Sequence, residues 1–515
     1  MLSLSLLVRS DRPAQLTATG VLDFGNSGLV RMDTRYVKAW VQGATAWRWI
    51  NHKPGYSLVP ELLLHDDSLV EAEPASGDNR IRIRKNGRSS FLMGRELEGI
   101  GLDGDPRRKM VTRYQYELDD SAEVQPLFLQ GNTLRQIWLQ FRVPSAVAGG
   151  VFSGTVTVAC EGFGKVEIPV VLRVHSFDLA APALRYGVFY RGVLWDGEPG
   201  ITSEQKVTDQ MRVDLQAIHD LGIQYPTLYQ SMDDEGLLRR ALELRKQIGF
   251  PVDEVYYLGG GIADKFLKAD LRAVDRIAKR AEKLFEEFGY GRVVFYAVDE
   301  GDASTIRRQL PGWRHVRSLG QGVMASGRVN NLEAYPGAAD IYVAAYAPDP
   351  AFARLVHEKS GRVFSYANPQ GGVENPYLFR LNYGVDLWRA RYDGALIYAY
   401  QDMRGIAWSD FDGQYRDHFL VYPTTHGMVP TLAWEGLREA IYDVRYLTTL
   451  ERMVDAGIRA KQCTALDAAI DRGGSILEGV RDGQYRDPGR IRGLVSMAIE
   501  DVMQAHARCL AGSLQ

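Results

Sequence analysis

The chain has 515 residues, 45% hydrophobic and 10% aromatic, with 61 Lys+Arg against 64 Asp+Glu and a formal net charge of −3. That length exceeds one ordinary domain and predicts two or three, each able to bury its own core. The near balance of charge argues against nucleic acid or an anionic membrane as principal partner, and no segment approaches the ~18 apolar residues of a membrane span.

The N-terminal MLSLSLLVRSDRP is apolar only briefly and lacks a basic start or a small-residue cleavage site. It reads as a first β-strand, and the missing leader points to the cytoplasm unless a signal has been removed. Short alternating runs follow, among them 136–143, 154–159 and 166–174, separated by turn clusters such as Ala148-Gly149-Gly150. This is the pattern of a β-sandwich over residues 1–178. The basic stretch Arg80-Ile-Arg82-Ile-Arg84-Lys-Asn86-Gly87-Arg88 alternates with isoleucine and turns at Asn-Gly, as the solvated face of a hairpin does. GIGLDG, at 99–104, matches G-x-G-x-x-G, but Asp105-Pro106 follows where a helix should begin, so it is not read as a nucleotide site.

After a linker at 178–183 the rhythm becomes strand, helix, strand, helix. Strands are expected at 186–190, 225–230, 255–258, 293–298, 323–326, 341–346, 363–366 and 395–400, with helices at 205–221, 235–248 and 269–288. Eight such units fit a (β/α)8 TIM-like barrel over 185–430, whose buried parallel strands read as short apolar runs. Beyond Pro430 the pattern is helical, from 432 to about 453 and then more weakly, giving a C-terminal helical region, 431–515, packed on the barrel. Cys160, Cys463 and Cys509 lie far apart and fit no disulfide framework or zinc spacing, and the histidines form no His-Glu-x-x-His pattern. No metal and no cofactor are expected.

In such barrels the chemistry sits at the C-terminal ends of the strands. Those ends place Tyr190, Tyr229, Tyr257, Asp299, Glu300, Arg328, Tyr346, Tyr366, Asn368, Tyr400, Gln401 and Asp402 at one rim, with Trp195 and Trp408 nearby. Aromatic faces that pack on a sugar ring, beside polar tips that take its hydroxyls, suit a carbohydrate pocket. Gly259-Gly260-Gly261 reads as a flexible turn rather than a phosphate cradle.

Asp299 and Glu300 end the fourth strand side by side. Asp302 or Ser304 is placed to cap the helix that follows, which leaves the pair free for chemistry. Glycoside cleavage needs two acidic functions close together, and adjacent carboxylates in a partly dry cleft favour keeping one proton. A second acidic stripe, Glu435, Glu439 and Asp443 at i, i+4, i+8, reads as docking of the late helix, with Arg438 and Arg445 as partners.

The sandwich end VPSAVAGGVFSGTVTV (143–158), the barrel motif YAVDE (296–300), YPTTHG (422–427) and WEGLREAIYDVRYLTTL (434–450) together resemble glycoside hydrolase family 123 and the broader group sharing its catalytic domain. The resemblance implies a retaining β-N-acetylhexosaminidase, galacto-configured, that uses the substrate's acetamido oxygen as nucleophile and passes through an oxazoline. It implies Glu300 as general acid/base and Asp299 as the group that orients the acetamide, with Tyr366 and Tyr400 as hydrogen-bonding tyrosines. The residues agree in one respect. Strand seven ends Ser365-Tyr366-Ala367-Asn368, with no acid until Glu374, so no enzyme nucleophile stands there. Two other readings stay open: a glycosidase for another sugar, with Asp402 or Glu374 as second carboxylate, and a non-catalytic carbohydrate-binding protein. The expected partner is a carbohydrate; the oligomeric state is open.

Overall fold

The computed structural model describes residues 2–43, 56–97, 100–101, 112–113, 116–144, 146–367, 375–403, 406–409, 411, 417–460 and 463–512. Asn368, Glu374 and all of the GIGLDG segment except Ile100 and Gly101 lie outside them.

Leu2–Arg9 is the first strand, paired antiparallel with Leu134–Phe141 from Leu2 opposite Phe141 to Arg9 opposite Leu134. From there the sheet continues through Leu29–Gly43, Ala14–Asp23, Gly150–Cys160 and Gly164–Val174, while Leu127–Leu129 and Tyr56–Leu64 pair off this path. The result is a curled, eight-stranded antiparallel sheet. In Ala14–Asp23 every second side is buried, so Leu16, Ala18 and Leu22 meet Met32, Tyr36, Ile137 and Leu139 in one apolar layer. The basic stretch is the expected hairpin, Asp78–Lys85 with Arg88–Met93. Its turn residues Asn86 and Gly87 have φ of 51° and 74°, the left-handed pair that a two-residue turn matched to strand twist requires. Arg80, Arg82 and Arg84 each pair with a carboxylate, of Glu71, Asp66 and Glu117.

The eight barrel strands are Arg185–Val188, Tyr225–Pro226, Val255–Tyr257, Val293–Tyr296, Gly322–Gly327, Ile341–Ala345, Arg362–Ala367 and Gly394–Ile397. All their pairings are parallel, each strand beside its neighbour in chain order and the first beside the eighth. The second and third strands meet through a single bridge, Leu228 with Tyr257, so the barrel is nearly closed. Side chains alternate strictly across its wall. Tyr256, Val294, Met324, Val343, Phe364 and Leu396 fill the interior. Their sequence neighbours Val255, Phe295, Val323, Tyr342, Val363 and Ile397 pack outward against helices. Thr208–Leu221, Glu235–Ile248, Leu271–Glu286, Ala303–Ser318 and Pro350–His357 supply much of that outer layer. Gln205 and Lys206, expected as helix, instead form a short strand with Val193–Leu194.

Helix Leu432–Ala460, longer than expected, packs against the helical segment Pro376–Val385 and against helices Thr464–Arg481 and Pro488–Gly512. At Gly384 a Cβ would stand 3.1 Å from Ala440 Cα, so the close crossing of the two helical segments depends on that glycine. The acidic stripe does dock the helix, with a partly different set of partners. Glu435 meets Arg438 at 2.7 Å, and Ser3 of the first strand donates to it. Asp443 holds Arg380 and Arg492, and Arg492 also holds Glu439. Arg445 does not pair with the stripe; it donates to the carbonyls of Leu179 and Ala180 in the linker. Among the described residues no helix is long and apolar enough to cross a membrane.

The cysteine reading is corrected. Cys463 and Cys509 form a disulfide, with Cα atoms 6.1 Å apart. Helices Thr464–Arg481 and Pro488–Gly512 pack against each other, and this brings the start of one beside the end of the other. A separation of 46 residues hides that proximity from the sequence.

Candidate active site

The fourth strand ends in a tight turn that presents Asp299 and Glu300 at the barrel mouth. Helix Ala303–Ser318 begins just beyond, capped by Asp302, whose carboxylate accepts from Thr305 N at 2.7 Å and from Ser304 Oγ at 3.0 Å. These hydrogen bonds, led by the backbone one, lower the Asp302 pKa. The cap is therefore filled without the acid pair. Glu300 has φ of 46°, a left-handed conformation that costs a non-glycine residue energy and recurs at functional turns. Both carboxylates are exposed, so the partly dry setting expected for them is absent here.

Inward-facing side chains from the fourth, fifth and seventh strands hold the pair. Asp299 Oδ1, the Tyr296 hydroxyl and the Ser326 hydroxyl form a triangle with sides of 2.5, 2.6 and 2.6 Å. Either both hydroxyls donate to the carboxylate or one relays through the other. Burial raises the Tyr296 pKa well above its ordinary value, and the Asp299 charge adds to this, so the phenol stays a donor. Tyr366, from the seventh strand, donates to Glu300 Oε1 across the mouth. Its pKa is likewise raised, first by burial and then by the hydrogen bond to Glu300. Asp299 Oδ2 and Glu300 Oε2 have no hydrogen-bond partner among the described residues.

A second cluster occupies the same mouth at the junction of the first, second and eighth strands. Arg191 pairs with Glu204 at 2.6 Å and Asp402 at 3.4 Å, and its guanidinium lies 5.3 Å from the centre of the Tyr229 ring. The Tyr398 hydroxyl donates to Asp402. Burial raises the Tyr229 pKa, and Asp299 is among the charges that act on it. Phe189 stands between the clusters, 5.8 Å from the Tyr296 ring and 5.1 Å from that of Tyr398. On the far side Arg328 is exposed, its guanidinium 5.7 Å from the ring of Tyr346, whose φ is 68°.

Four of the residues expected at the rim, and Trp408 expected near it, are not brought to this mouth. Tyr190, Tyr257 and Tyr400 sit on the outward parity of their strands, 2%, 0% and 1% exposed. Tyr190 and Tyr400 donate to the two oxygens of buried Asp214 at 3.1 and 3.0 Å, and Tyr257 donates to the Gln230 carbonyl. Gln401 accepts from buried Lys206 at 2.9 Å, and Lys206 also pairs with Asp214 at 3.3 Å. Trp408 is buried with Trp40 and Tyr422 where the antiparallel sheet meets the barrel, and donates to the Pro423 carbonyl. Tyr229, Tyr366, Asp402 and the acid pair do converge. Tyr296, Ser326 and Tyr398 were missed, yet the two-residue alternation of each strand carries the signal. Val294, Met324 and Leu396 face in, so residues two further on do too.

No family model matches the chain, and no curated protein matches it. Among solved structures, it is similar to a family 123 glycoside hydrolase from Clostridium perfringens. That likeness has a TM-score of 0.61 and 10% identity, over 98% of this chain and 93% of that one. The two therefore share a fold along nearly their whole lengths. A family 39 glycoside hydrolase from Bacteroides cellulosilyticus WH2 is matched at 10% identity over 61% of this chain and 74% of that one. A β-glucuronidase from Ruminococcus gnavus is matched at 9% over 75% and 68%. Both have a TM-score of 0.32, too low to support a shared fold.

Proposed function

We propose that the chain is a glycoside hydrolase, a retaining, substrate-assisted β-N-acetylhexosaminidase of galacto configuration. The reading takes residues 1–178 as a β-sandwich, 185–430 as a (β/α)8 barrel and 431–515 as a helical extension packed on it. The observation that carries the mechanism is what faces Glu300 from the seventh strand: the phenol of Tyr366, not a carboxylate. A retaining enzyme with its own nucleophile needs a second carboxylate about 5–5.5 Å from the acid. Among the described residues, the other acids at the mouth are committed, Asp402 to Tyr398 and Arg191 and Glu204 to Arg191. The substrate then supplies the nucleophile.

Because Tyr366 donates to Glu300 Oε1, the transferable proton belongs on Oε2. It passes to the glycosidic oxygen as the acetamido carbonyl oxygen bonds to the anomeric carbon and the leaving group departs. Asp299 Oδ2 accepts the acetamide N–H and stabilises the positive charge of the oxazolinium. The Glu300 carboxylate then takes a proton from water, which attacks the same carbon as its bond to the oxazolinium oxygen breaks, regenerating the acetamide and restoring the configuration. An internal nucleophile held in place acts at high effective molarity, which replaces the missing enzyme group. Tyr229, Arg328 and Asp402 are assigned to sugar contacts.

A panel of aryl hexosides tests this. Cleavage of the 2-acetamido galactoside, inhibition by a thiazoline mimic of the oxazoline, and a loss of about 100- to 10,000-fold in Glu300→Gln are expected. Equal cleavage of 2-acetamido and 2-hydroxy glycosides would sink the substrate-assisted route.

A further inference from the structure

A groove of about 790 Å³ lies where the last strand of the antiparallel sheet, the linker and helices Thr208–Leu221, Leu432–Ala460 and Pro488–Gly512 meet. Helix Thr208–Leu221 leaves the mouth side of the barrel and ends here, so the groove faces away from Asp299 and Glu300. Its size falls in the range of sites for small organic ligands, and junctions between structural units are a common place for them.

Five arginines line it, Arg142, Arg173, Arg438, Arg445 and Arg492, against one lining acid, Asp220. Three of the five are matched from behind, by Glu500, Glu435 and the pair Glu439 and Asp443. The other two are not. Arg142 is exposed and has no hydrogen-bond or ion-pair partner among the described residues. Arg445 spends Nε and Nη2 on the carbonyls of Ala180 and Leu179, which orient the guanidinium without cancelling its charge. Aromatic rings stiffen the wall: Arg445 lies 5.4 Å from the Tyr442 ring and Arg492 5.7 Å from that of Tyr446. The Tyr446 hydroxyl makes no hydrogen bond among the described residues and is available to a ligand. An oriented guanidinium fork is the side chain best matched to carboxylate and sulfate.

We propose that this groove is a second carbohydrate-binding site, which takes the sulfate or carboxylate of an acidic saccharide between Arg142 and Arg445. A bare oxyanion would fill only a small part of the space. The rest is lined by Phe177, Tyr442 and Tyr446, whose apolar area and hydroxyls a sugar can cover and a small ion cannot. The site acts by binding alone; that it is a second site, and the choice of Glu300→Gln to suppress turnover, rest on the hydrolase reading, whereas the binding itself does not.

Calorimetry on the full chain carrying Glu300→Gln, which prevents turnover, tests this with a sulfated disaccharide, a uronic-acid disaccharide, a neutral disaccharide and inorganic sulfate. At least one acidic disaccharide is expected to bind about tenfold or more tighter than the neutral one and than inorganic sulfate, and the two acidic arms identify the preferred oxyanion. Arg142→Ser and Arg445→Gln are each expected to weaken that binding at least about fivefold. Arg142 is exposed, so its variant is expected to fold even if Arg445→Gln disturbs the linker. Equal affinity for the neutral disaccharide, or acidic binding unchanged in Arg142→Ser, overturns the proposal. Inorganic sulfate as tight as the disaccharide overturns its saccharide part.

Discussion

The Tyr366 hydroxyl, on the seventh barrel strand, donates to Glu300 Oε1 at the end of the fourth. In the proposed mechanism this phenol stands where a two-carboxylate glycosidase would hold its nucleophile, and it orients the acid. A hydrogen bond to a charged group contributes about 1.5–3 kcal/mol, which corresponds to about ten- to a hundredfold in rate. Tyr366→Phe is expected to lower kcat by that factor with KM little changed on a 2-acetamido aryl galactoside. An unchanged kcat would remove Tyr366 from the mechanism.

Ser326 and Tyr296 share Asp299 Oδ1 and touch each other, so they act as one unit. Ser326→Ala and Tyr296→Phe should each reduce turnover of 2-acetamido substrates. In the double variant the loss is expected to depart from additivity by about 1 kcal/mol in a kinetic cycle. Strict additivity would mean that each hydroxyl reaches the carboxylate independently.

Tyr190 and Tyr400 serve stability instead. Each supplies one donor to Asp214, which is 2% exposed, and losing either costs about 1–3 kcal/mol. Tyr190→Phe and Tyr400→Phe should lower the denaturation midpoint while leaving kcat and KM at wild-type values. A rise in KM for either would place that ring in the substrate pocket after all.

The alkaline behaviour follows from the phenols. Tyr296 and Tyr366 have folded-state pKa values raised above the ordinary 10.0, chiefly by burial. The neutral form is therefore favoured in the folded state. The stability this contributes is fully present below the unfolded value and is lost as pH rises through the higher folded ones. Up to about pH 10 the ultraviolet difference spectrum should show only other tyrosines ionising, and these two should appear together with alkaline unfolding. Ionisation of either below that pH, in Phe-substituted controls, would contradict the assignment.

Cys463 and Cys509 close a loop of 46 residues, for which chain entropy gives a stabilisation of about 4 kcal/mol. Cys463→Ser, or reductant on the wild type, should lower Tm without altering activity, because both cysteines lie on the terminal helices. A Tm insensitive to reductant would show that packing of those helices suffices without the bond.

Much of this molecule was legible in one dimension. Eight apolar runs marked the eight barrel strands because parallel strands buried on both faces must be apolar throughout. Asn86-Gly87 marked its hairpin because few residues tolerate two consecutive left-handed conformations. Asp299 and Glu300 stood out because a strand of buried residues ends in two charges, and Asp302 was already placed to cap the next helix. The absence of an acid at the end of strand seven was equally plain.

Three matters were decided only by the tertiary structure. The first is which side of the wall each rim tyrosine faces. A residue's neighbours in sequence do not reveal the barrel's interior until strand parity is anchored, so Tyr400 was expected in the pocket that Tyr398 occupies. The second is pairing at a distance. Ser326 reaching Asp299, Tyr366 reaching Glu300 and Cys463 reaching Cys509 depend on closure of the barrel and packing of the last helices. The third is exposure: adjacent carboxylates look alike in sequence whether dry or wet, and here both are open to solvent. Local chemistry and periodicity belong to the chain itself, whereas convergence, facing and solvation are properties of the packed structure.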